Sequence, residues 1–126
     1  MKSLGKHLIV ELYGCSFEQI NDLVQVERSL IEAVELSRAT IVKPVFHRFS
    51  PHGVSGVVVI AESHFAIHTW PEYGYCALDI FTCGDQIDSD AALHFLKSRF
   101  EAENMSIMEV QRGVLDVPPH QLRHKP

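Results

Sequence analysis

The sequence has no long apolar run, few cysteines and no excess of basic residues. Apolar residues make up 46% of the 126 residues, yet no stretch is long enough to predict a membrane-spanning helix, so no membrane partner is expected. Near the start, only the three residues LIV precede Glu11, which predicts no signal peptide and a cytoplasmic location. The three cysteines are an odd number without close pairing, which favours free thiols over a disulfide framework.

Charge and length further limit the class of protein. The 16 acidic residues outnumber the 11 basic ones, giving a net charge of -5. Because contacts to phosphate need a basic surface, we expect no nucleic-acid partner. The length fits a single domain over residues 1–126 and leaves no room for a separate cofactor-binding domain.

The spacing of apolar residues predicts six strands and two main helices. Ser16 and Gln19 form a possible capping box for the first helix, and Asp88 or Ser89 is placed to cap the second. Consecutive hairpins with two separated helices predict an α+β fold, a two-layer sandwich of helices on an antiparallel sheet. The tail 117–126, rich in Pro and His, is predicted to be loose. The strands are predicted at 6–13, 40–49, 54–61, 64–70, 75–83 and 105–113, and the helices at 17–37 and 91–100.

One predicted strand is apolar on both of its faces. The run GVVVI at 56–60 places valines on each side of the pleat, whereas an antiparallel strand usually keeps one face polar. Two helices can cover only one face of the sheet. We therefore expect the other face to meet a second copy, as a homodimer with sheets packed together. The alternative is a twisted central strand that is partly buried on both sides.

The segment AESHFAIHTWPEYGYC at 61–76 concentrates groups that can do chemistry on a segment with strand character. Ser63 lacks the Gly-x-Ser-x-Gly context of a hydrolase nucleophile. His64 and His68 share a strand face, but Cys76 and Cys83 are seven residues apart and point to opposite sides, so no metal site is expected. The lysines lie outside this cluster, which disfavours a pyridoxal phosphate enzyme.

The same segment, together with KSLGKHLIVELYGC, ATIVKPVFHRFSPHGVSG and the later FTCG, closely resembles the small prokaryotic S-adenosylmethionine decarboxylase proenzymes. The resemblance extends to about Gly113. It implies that the Glu62–Ser63 peptide bond is cleaved by the protein itself, leaving chains 1–62 and 63–126. It also implies that Ser63 becomes a pyruvoyl group, which binds the substrate amine as a Schiff base and replaces pyridoxal phosphate without a metal.

The resemblance assigns roles to other residues of this sequence. His68 corresponds to the histidine that removes the α-proton during cleavage, and Ser55 to a serine that assists cleavage. Cys83 corresponds to the cysteine that returns a proton to the substrate after decarboxylation, whereas Cys15 and Cys76 have no role there and are expected to be buried thiols. On a regular strand Cys83 lies on the face opposite the helices, which agrees with its role.

Substrate contacts follow from the same resemblance. Phe49 corresponds to an aromatic residue that stacks on adenine near the sulfonium, and Glu72 to an acid that binds the ribose hydroxyls. In the family the pyruvoyl group and the cysteine come from one protomer, and the aromatic, serine, histidine and acid come from the other. His47, Trp70 and Tyr73 are assigned only to packing or to shaping of the site.

The resemblance therefore implies decarboxylation of S-adenosylmethionine, which supplies the aminopropyl donor for spermidine. Three alternatives stay open at the level of sequence. The same machinery serves a related enzyme that decarboxylates arginine. An uncleaved, non-catalytic partner subunit would bind ligand only, and a zinc-binding structural protein is the most remote alternative.

Overall fold

A computed structural model describes residues 3–123, apart from the side chain of Pro119, and shows a six-stranded sheet with helices on one face. Every pair of neighbouring strands is antiparallel, and the strand order is β2-β3-β4-β5-β1-β6. The predicted α+β two-layer fold is confirmed. The strands are β1 (Gly5–Tyr13), β2 (Ile41–Arg48), β3 (Val54–Ile60), β4 (Ser63–Trp70), β5 (Tyr75–Thr82) and β6 (Asn104–Arg112).

The prediction of one helix over 17–37 is wrong, because the chain forms α1 (Phe17–Asn21) and then α2 (Leu23–Leu36). Asp22 between them is extended, with φ -97° and ψ 117°, and its carboxylate accepts the N–H of Val24 at 2.9 Å. An aspartate that bonds to the backbone in this way competes with helix continuation and starts a new helix instead. With α3 (Ser89–Arg99), the described residues contain three α-helices rather than two main ones.

The capping box at the start of α1 is only half formed. The Ser16 hydroxyl accepts the N–H of Gln19 at 3.4 Å, as expected. The Ser16 N–H, however, donates to the carbonyl of Phe100 at 2.9 Å, so it is not free for the Gln19 side chain. The side-chain oxygen of Gln19 is buried without a hydrogen-bond partner. The predicted cap of the last helix is confirmed at Asp88, which accepts the N–H of Ala91 at 3.0 Å.

The hydrophobic core lies between the sheet and the helices. Alternate residues of the central strands point into it, and the apolar stripes of α2 and α3 cover them. Cys15 and Cys76 are both buried there, as predicted. The largest fully buried side chains are Phe65, Phe100, Leu12, Ile20, Leu30, Ile67, Leu78, Ile80, Leu93, Leu96, Val10 and Val26.

The opposite face of the sheet, here called the outer face, carries the other alternate residues and has no helix over it in the described part of the chain. It keeps large apolar side chains in contact with solvent, among them Ile9 at 38%, Val45 at 52% and Met108 at 60% exposure. Val57 and Val59 of the GVVVI run also point to this side, whereas Val58 and Ile60 are buried in the core.

The end of the chain leaves the sheet after β6. Pro119–Gln121 form a single 3-10 turn, and residues 114–118 contain no helix or strand. The prediction of a loose tail over 117–126 partly concerns residues 124–126, which lie outside the described residues. No helix within residues 3–123 is long and apolar enough to cross a membrane.

Candidate active site

The Glu62–Ser63 peptide bond lies at the end of a tight turn between β3 and β4. Ile60 pairs with Ser63, which leaves only Ala61 and Glu62 in the loop. Thr40 fixes this turn from the side: its carbonyl accepts the N–H of Ala61 at 2.9 Å. Its own N–H and hydroxyl donate to the Glu62 carboxylate at 3.2 and 3.4 Å. One residue immediately before β2 therefore holds both the backbone of the turn and the Glu62 side chain.

Ser63 has an unusual backbone conformation, with φ 148°. A residue with a Cβ atom rarely adopts this region, and holding it there costs on the order of 1–3 kcal/mol. The Glu62 carbonyl oxygen, on the other side of the same peptide bond, accepts the N–H of Cys83 at 2.9 Å. This hydrogen bond draws electron density from the carbonyl and makes its carbon more open to attack by a nucleophile.

The Ser63 hydroxyl and the Cys83 thiol lie side by side, with 3.5 Å between oxygen and sulfur. The pairing of β4 with β5 produces this contact, since Ser63 pairs with Thr82 and Cys83 follows immediately. Both residues are partly buried. One small cluster thus joins Glu62, Ser63 and Cys83, three of the residues that the sequence singled out; it is called the cleavage cluster below.

Ser55 and His68 form a second pair, near the other end of β3 and β4. They are direct neighbours across the two strands, and 2.8 Å separates the Ser55 hydroxyl oxygen from Nδ1 of His68. Both point to the outer face. A shallow pocket of about 260 Å³ opens beside them, lined by Val45, Phe46, His47, Ser55, Gly56, Val57, Ala66 and His68.

Phe49 and Glu72 lie at the same end of the sheet as Ser55 and His68. Phe49 follows β2, is 48% exposed and meets the His47 ring edge to face, with 4.6 Å between centroids. Glu72 is exposed in the 3-10 turn Pro71–Tyr73 that follows β4. These two residues with Ser55 and His68 are called the recognition group below.

The cleavage cluster and the recognition group are far apart within one chain. His68 is five residues beyond Ser63 on an extended strand, which corresponds to about 16 Å at the usual rise per residue. The imidazole therefore does not reach the Ser63 α-carbon of its own chain. The structure brings the predicted residues together in two sets at opposite ends of the β3–β4 hairpin.

Comparison with known proteins decides the family. The family model described as S-adenosylmethionine decarboxylase matches residues 6–113 of this chain. The chain belongs to the S-adenosylmethionine decarboxylase family. Curated relatives named S-adenosylmethionine decarboxylase proenzyme include one from Acidithiobacillus ferrooxidans, 50% identical over 100% of this chain and 97% of its own length. Another, from Syntrophomonas wolfei, is 51% identical over 97% of each chain.

Solved structures support the same family. The adenosylmethionine decarboxylase from Aquifex aeolicus aligns with a TM-score of 0.85 and 32% identity, covering 92% of this chain and 96% of that one. The Trypanosoma brucei AdoMetDC-delta26 monomer aligns with a TM-score of 0.59 at 17% identity, over 82% of this chain and 45% of that one. That second likeness concerns the fold alone. The resemblance inferred from the sequence motifs is confirmed, and the family consists of enzymes.

Some site features of this decarboxylase-family chain leave no sequence signal. The backbone N–H of Cys83 and the strained φ of Ser63 depend on strand register, which a motif does not report. A polar chain on the outer face was also not predicted: His7 Nε2 lies 3.0 Å from Asp79, and Arg112 lies 3.4 Å from the other His7 nitrogen. The His7 ring stacks on Phe81, whose position on β5 is two residues before Cys83.

A tyrosine–glutamate pair occupies the outer face near the recognition group. The Tyr75 hydroxyl donates to Glu11 at 2.6 Å. Its ring stacks on that of Tyr13, with 5.6 Å between centroids, and meets the Trp70 ring at a tilt, with 5.4 Å between centroids. Burial and the hydrogen bond to Glu11 raise the pKa of Tyr75 above its ordinary value. Within residues 3–123, no group of three or more His, Cys, Asp or Glu side chains is arranged to hold a metal ion.

Proposed function

We propose that this chain is a self-processing decarboxylase that converts S-adenosylmethionine into carbon dioxide and decarboxylated S-adenosylmethionine. The second product is the aminopropyl donor for spermidine. The observation that carries the proposal is the Glu62–Ser63 peptide bond, where a strained serine meets a carbonyl hydrogen-bonded to the Cys83 N–H. A relative with half of its residues identical over the whole chain is named a proenzyme, which agrees with such a cleavage.

The first step of cleavage is attack of the Ser63 hydroxyl on the Glu62 carbonyl carbon. The Cys83 N–H stabilises the negative charge that develops on the carbonyl oxygen. When the C–N bond breaks, the Glu62 acyl group has moved from the Ser63 nitrogen to its oxygen, forming an ester. This shift also allows the Ser63 backbone to leave its unfavourable conformation, so the strain favours the reaction.

The second step needs a base at the Ser63 α-carbon. Removal of the α-proton expels the Glu62 carboxylate from the ester, and hydrolysis of the resulting enamine releases ammonia and leaves a ketone. An imidazole is suited to this proton transfer near neutral pH. His68 is the proposed base, and its Nδ1 contact with Ser55 fixes the ring on the outer face.

His68 is too far from Ser63 in its own chain, so we place it opposite the Ser63 of a second copy. Two sheets stacked through their outer faces in antiparallel orientation bring the cleavage cluster of one copy over the recognition group of the other. The apolar side chains on the outer face supply the surface that such packing buries. We therefore propose a homodimer with two sites, each built from both protomers.

The residues at this position suit a pyruvoyl group formed from Ser63. The Ser63 hydroxyl already lies against the Cys83 thiol. The preceding residue, Glu62, is fixed by hydrogen bonds from Thr40 and from the Cys83 N–H. When formed, such a group would supply an electron-withdrawing carbonyl for the decarboxylation of a bound amino acid. The Cys83 thiol is placed to return a proton to the substrate α-carbon, and no pyridoxal phosphate or metal is required.

The recognition group gives the proposed preference for a nucleoside substrate. The exposed Phe49 ring offers a flat apolar face that adenine can stack on, and a ring face also attracts the sulfonium cation. The Glu72 carboxylate, exposed in its turn, can accept hydrogen bonds from both ribose hydroxyls.

Mass spectrometry of the purified protein tests the cleavage. We expect fragments 1–62 and 63–126, the second with a blocked, ketone-bearing terminus that reacts with hydrazine reagents. The matched control is Ser63→Ala, which keeps the turn but has no nucleophile and stays in one piece. Active protein that remains uncleaved, or that hydrazines do not inhibit, contradicts the proposal.

The substrate is tested separately by carbon dioxide release from S-adenosylmethionine and from arginine. The relatives and the solved structure favour the first substrate over an arginine-specific enzyme or a non-catalytic subunit. Release of carbon dioxide from arginine alone would show that the chain is an arginine decarboxylase that uses the same residues. An uncleaved chain that releases carbon dioxide from neither substrate would instead fit the non-catalytic subunit that binds ligand only.

A further inference from the structure

Cys15 and Cys76 are two buried thiols that the proposed mechanism does not use. Cys76 is on the core face of β5, and Cys15 is just beyond the end of β1, the strand that pairs with it. The Cys15 N–H donates to the carbonyl of Gly74 at 2.8 Å, which brings the two cysteine backbones close together. Their side chains share a hydrogen bond.

The environment distinguishes the two thiols. The hydrogen bond from Cys76 lowers the pKa of Cys15 against the opposing effect of burial. The hydrogen bond to Cys15 and burial raise the pKa of Cys76. Cys15 is also the one with some exposure, 8% against 0% for Cys76. Since the thiolate is the reactive form, Cys15 is the thiol that meets an oxidant first.

The third cysteine is excluded by distance. Cys83 is seven residues from Cys76 along an extended chain, about 23 Å at the usual rise. Cys83 contacts Ser63, at the other end of the sheet. The only two cysteine side chains in contact within residues 3–123 are therefore those of Cys15 and Cys76.

We propose that Cys15 and Cys76 are a thiol-oxidation site that hydrogen peroxide converts into a reversible disulfide. The Cys15 thiolate attacks the peroxide oxygen, which breaks the O–O bond, releases one hydroxide or water, and leaves a sulfenic acid. The Cys76 sulfur then attacks the Cys15 sulfur and expels a second water. The two thiols together lose two electrons and two protons, which the peroxide takes up, and a dithiol reductant reverses the change.

The two cysteines lie on opposite sides of the proposed cleavage point in the sequence. Cys15 precedes the Glu62–Ser63 bond and Cys76 follows it, so the crosslink would covalently join the two fragments of a cleaved chain. This consequence rests on the proposed self-cleavage, whereas the disulfide itself does not. In the uncleaved chain the same bond simply closes a loop between β1 and β5.

Thiol counting in the Ser63→Ala variant tests the site without cleavage. Treatment of the folded protein with hydrogen peroxide, followed by Ellman's reagent in denaturant, should reduce the three free thiols to one. Dithiothreitol should restore all three. With Cys83→Ser added to Ser63→Ala, peroxide should remove both of the remaining free thiols. With Cys15→Ser or Cys76→Ala added instead, no disulfide can form and two thiols should not be lost together.

Wild-type protein tests the link between fragments. After peroxide, we expect a single full-mass band on a non-reducing denaturing gel and two bands after reduction. Persistence of three thiols in Ser63→Ala, or a crosslink that requires Cys83 or a second chain, overturns the inference. If wild type stays uncleaved while Ser63→Ala loses its pair of thiols, the proposed cleavage fails and the disulfide site stands.

Discussion

Cys83 contributes two different groups to the cleavage cluster. Its backbone N–H donates to the Glu62 carbonyl, whereas its thiol lies 3.5 Å from the Ser63 hydroxyl. A side-chain substitution removes the second group and leaves the first in place. The proposed cleavage of the chain and the proposed role of the Cys83 thiol in decarboxylation should therefore be separable at this residue.

We predict that Cys83→Ala is still cleaved at least in part but decarboxylates poorly. Loss of a positioned proton donor usually costs about a hundredfold or more in rate. The measurement is carbon dioxide release per cleaved chain, with the cleaved fraction read from a denaturing gel. Cys76→Ala is the matched control, because the Cys76 thiol lies on the opposite face of β5. This variant should have near-wild-type activity. Wild-type turnover by cleaved Cys83→Ala would remove the thiol from the mechanism.

Tyr75 gives a prediction about pH at the scale of one side chain. Its pKa is raised above the ordinary value near 10 by burial and by the neighbouring Glu11 carboxylate. The folded protein therefore holds this proton more tightly than the unfolded chain does. The contribution of Tyr75 to the free energy of unfolding is fully present below pH 10 and is lost as the pH rises above that value.

The test compares wild type with Tyr75→Phe in urea unfolding at neutral pH and at alkaline pH above about 10. To keep cleavage out of the measurement, both proteins carry Ser63→Ala. Wild type should lose more unfolding free energy on going to alkaline pH than the phenylalanine variant does. If the unfolding free energy falls equally with pH in both proteins, the Tyr75 hydroxyl is not the cause of the pH dependence.

Sequence motifs point to candidate site residues and, through the resemblance, to a role for each, but not to the backbone geometry around them. Ser63, His68 and Cys83 all lie in short specific segments, and these assignments stay predictions. The φ of Ser63, the Cys83 N–H and the support from Thr40 come from strand pairing between distant segments. No local pattern contains that information, because register is decided by the whole sheet.

At the scale of elements, Asp22 shows where apolar periodicity misleads. The apolar stripe continues through this position, so the pattern predicts one helix, yet the carboxylate ends one helix and caps the next. The strands were predicted almost to the residue, because alternation and turn residues mark their ends directly.

The cap at Asp22 can be tested by substitution. In the Ser63→Ala background, Asp22→Ala should lower the free energy of unfolding by about 1 kcal/mol, since two N–H groups of α2 lose their acceptor. Urea titration measures the change. Asp22→Asn, which keeps a capping oxygen, should recover most of it. Equal loss in both variants would point to the charge rather than to the cap.

At the scale of the whole molecule, the separation of the cleavage cluster from the recognition group is the feature that matters most. The outer face combines exposed apolar residues with the partly exposed pair His7–Asp79 and the stacked rings of Tyr13 and Tyr75. A surface with that composition is typical of an interface rather than of one that faces water. Two copies related by a twofold axis would complete two identical sites at once.

Complementation between two inactive variants tests this arrangement. His68→Ala retains Ser63 and Cys83, whereas Ser63→Ala retains Ser55 and His68, and each should stay uncleaved when produced alone. When the two are co-expressed with different tags, mixed dimers contain one complete site and one that lacks both groups. With equal amounts and random pairing, about half of the His68→Ala chains should be cleaved and none of the Ser63→Ala chains.

The matched control replaces the second partner with the double variant Ser63→Ala, His68→Ala, which offers no imidazole and should rescue nothing. Pull-down through one tag confirms that mixed dimers are present in both experiments. Because neither single variant holds both Ser63 and His68, a site confined to one chain predicts no cleavage in the mixture. Uncleaved chains in confirmed mixed dimers would therefore contradict a shared site, and cleavage of His68→Ala alone would remove His68 as the base.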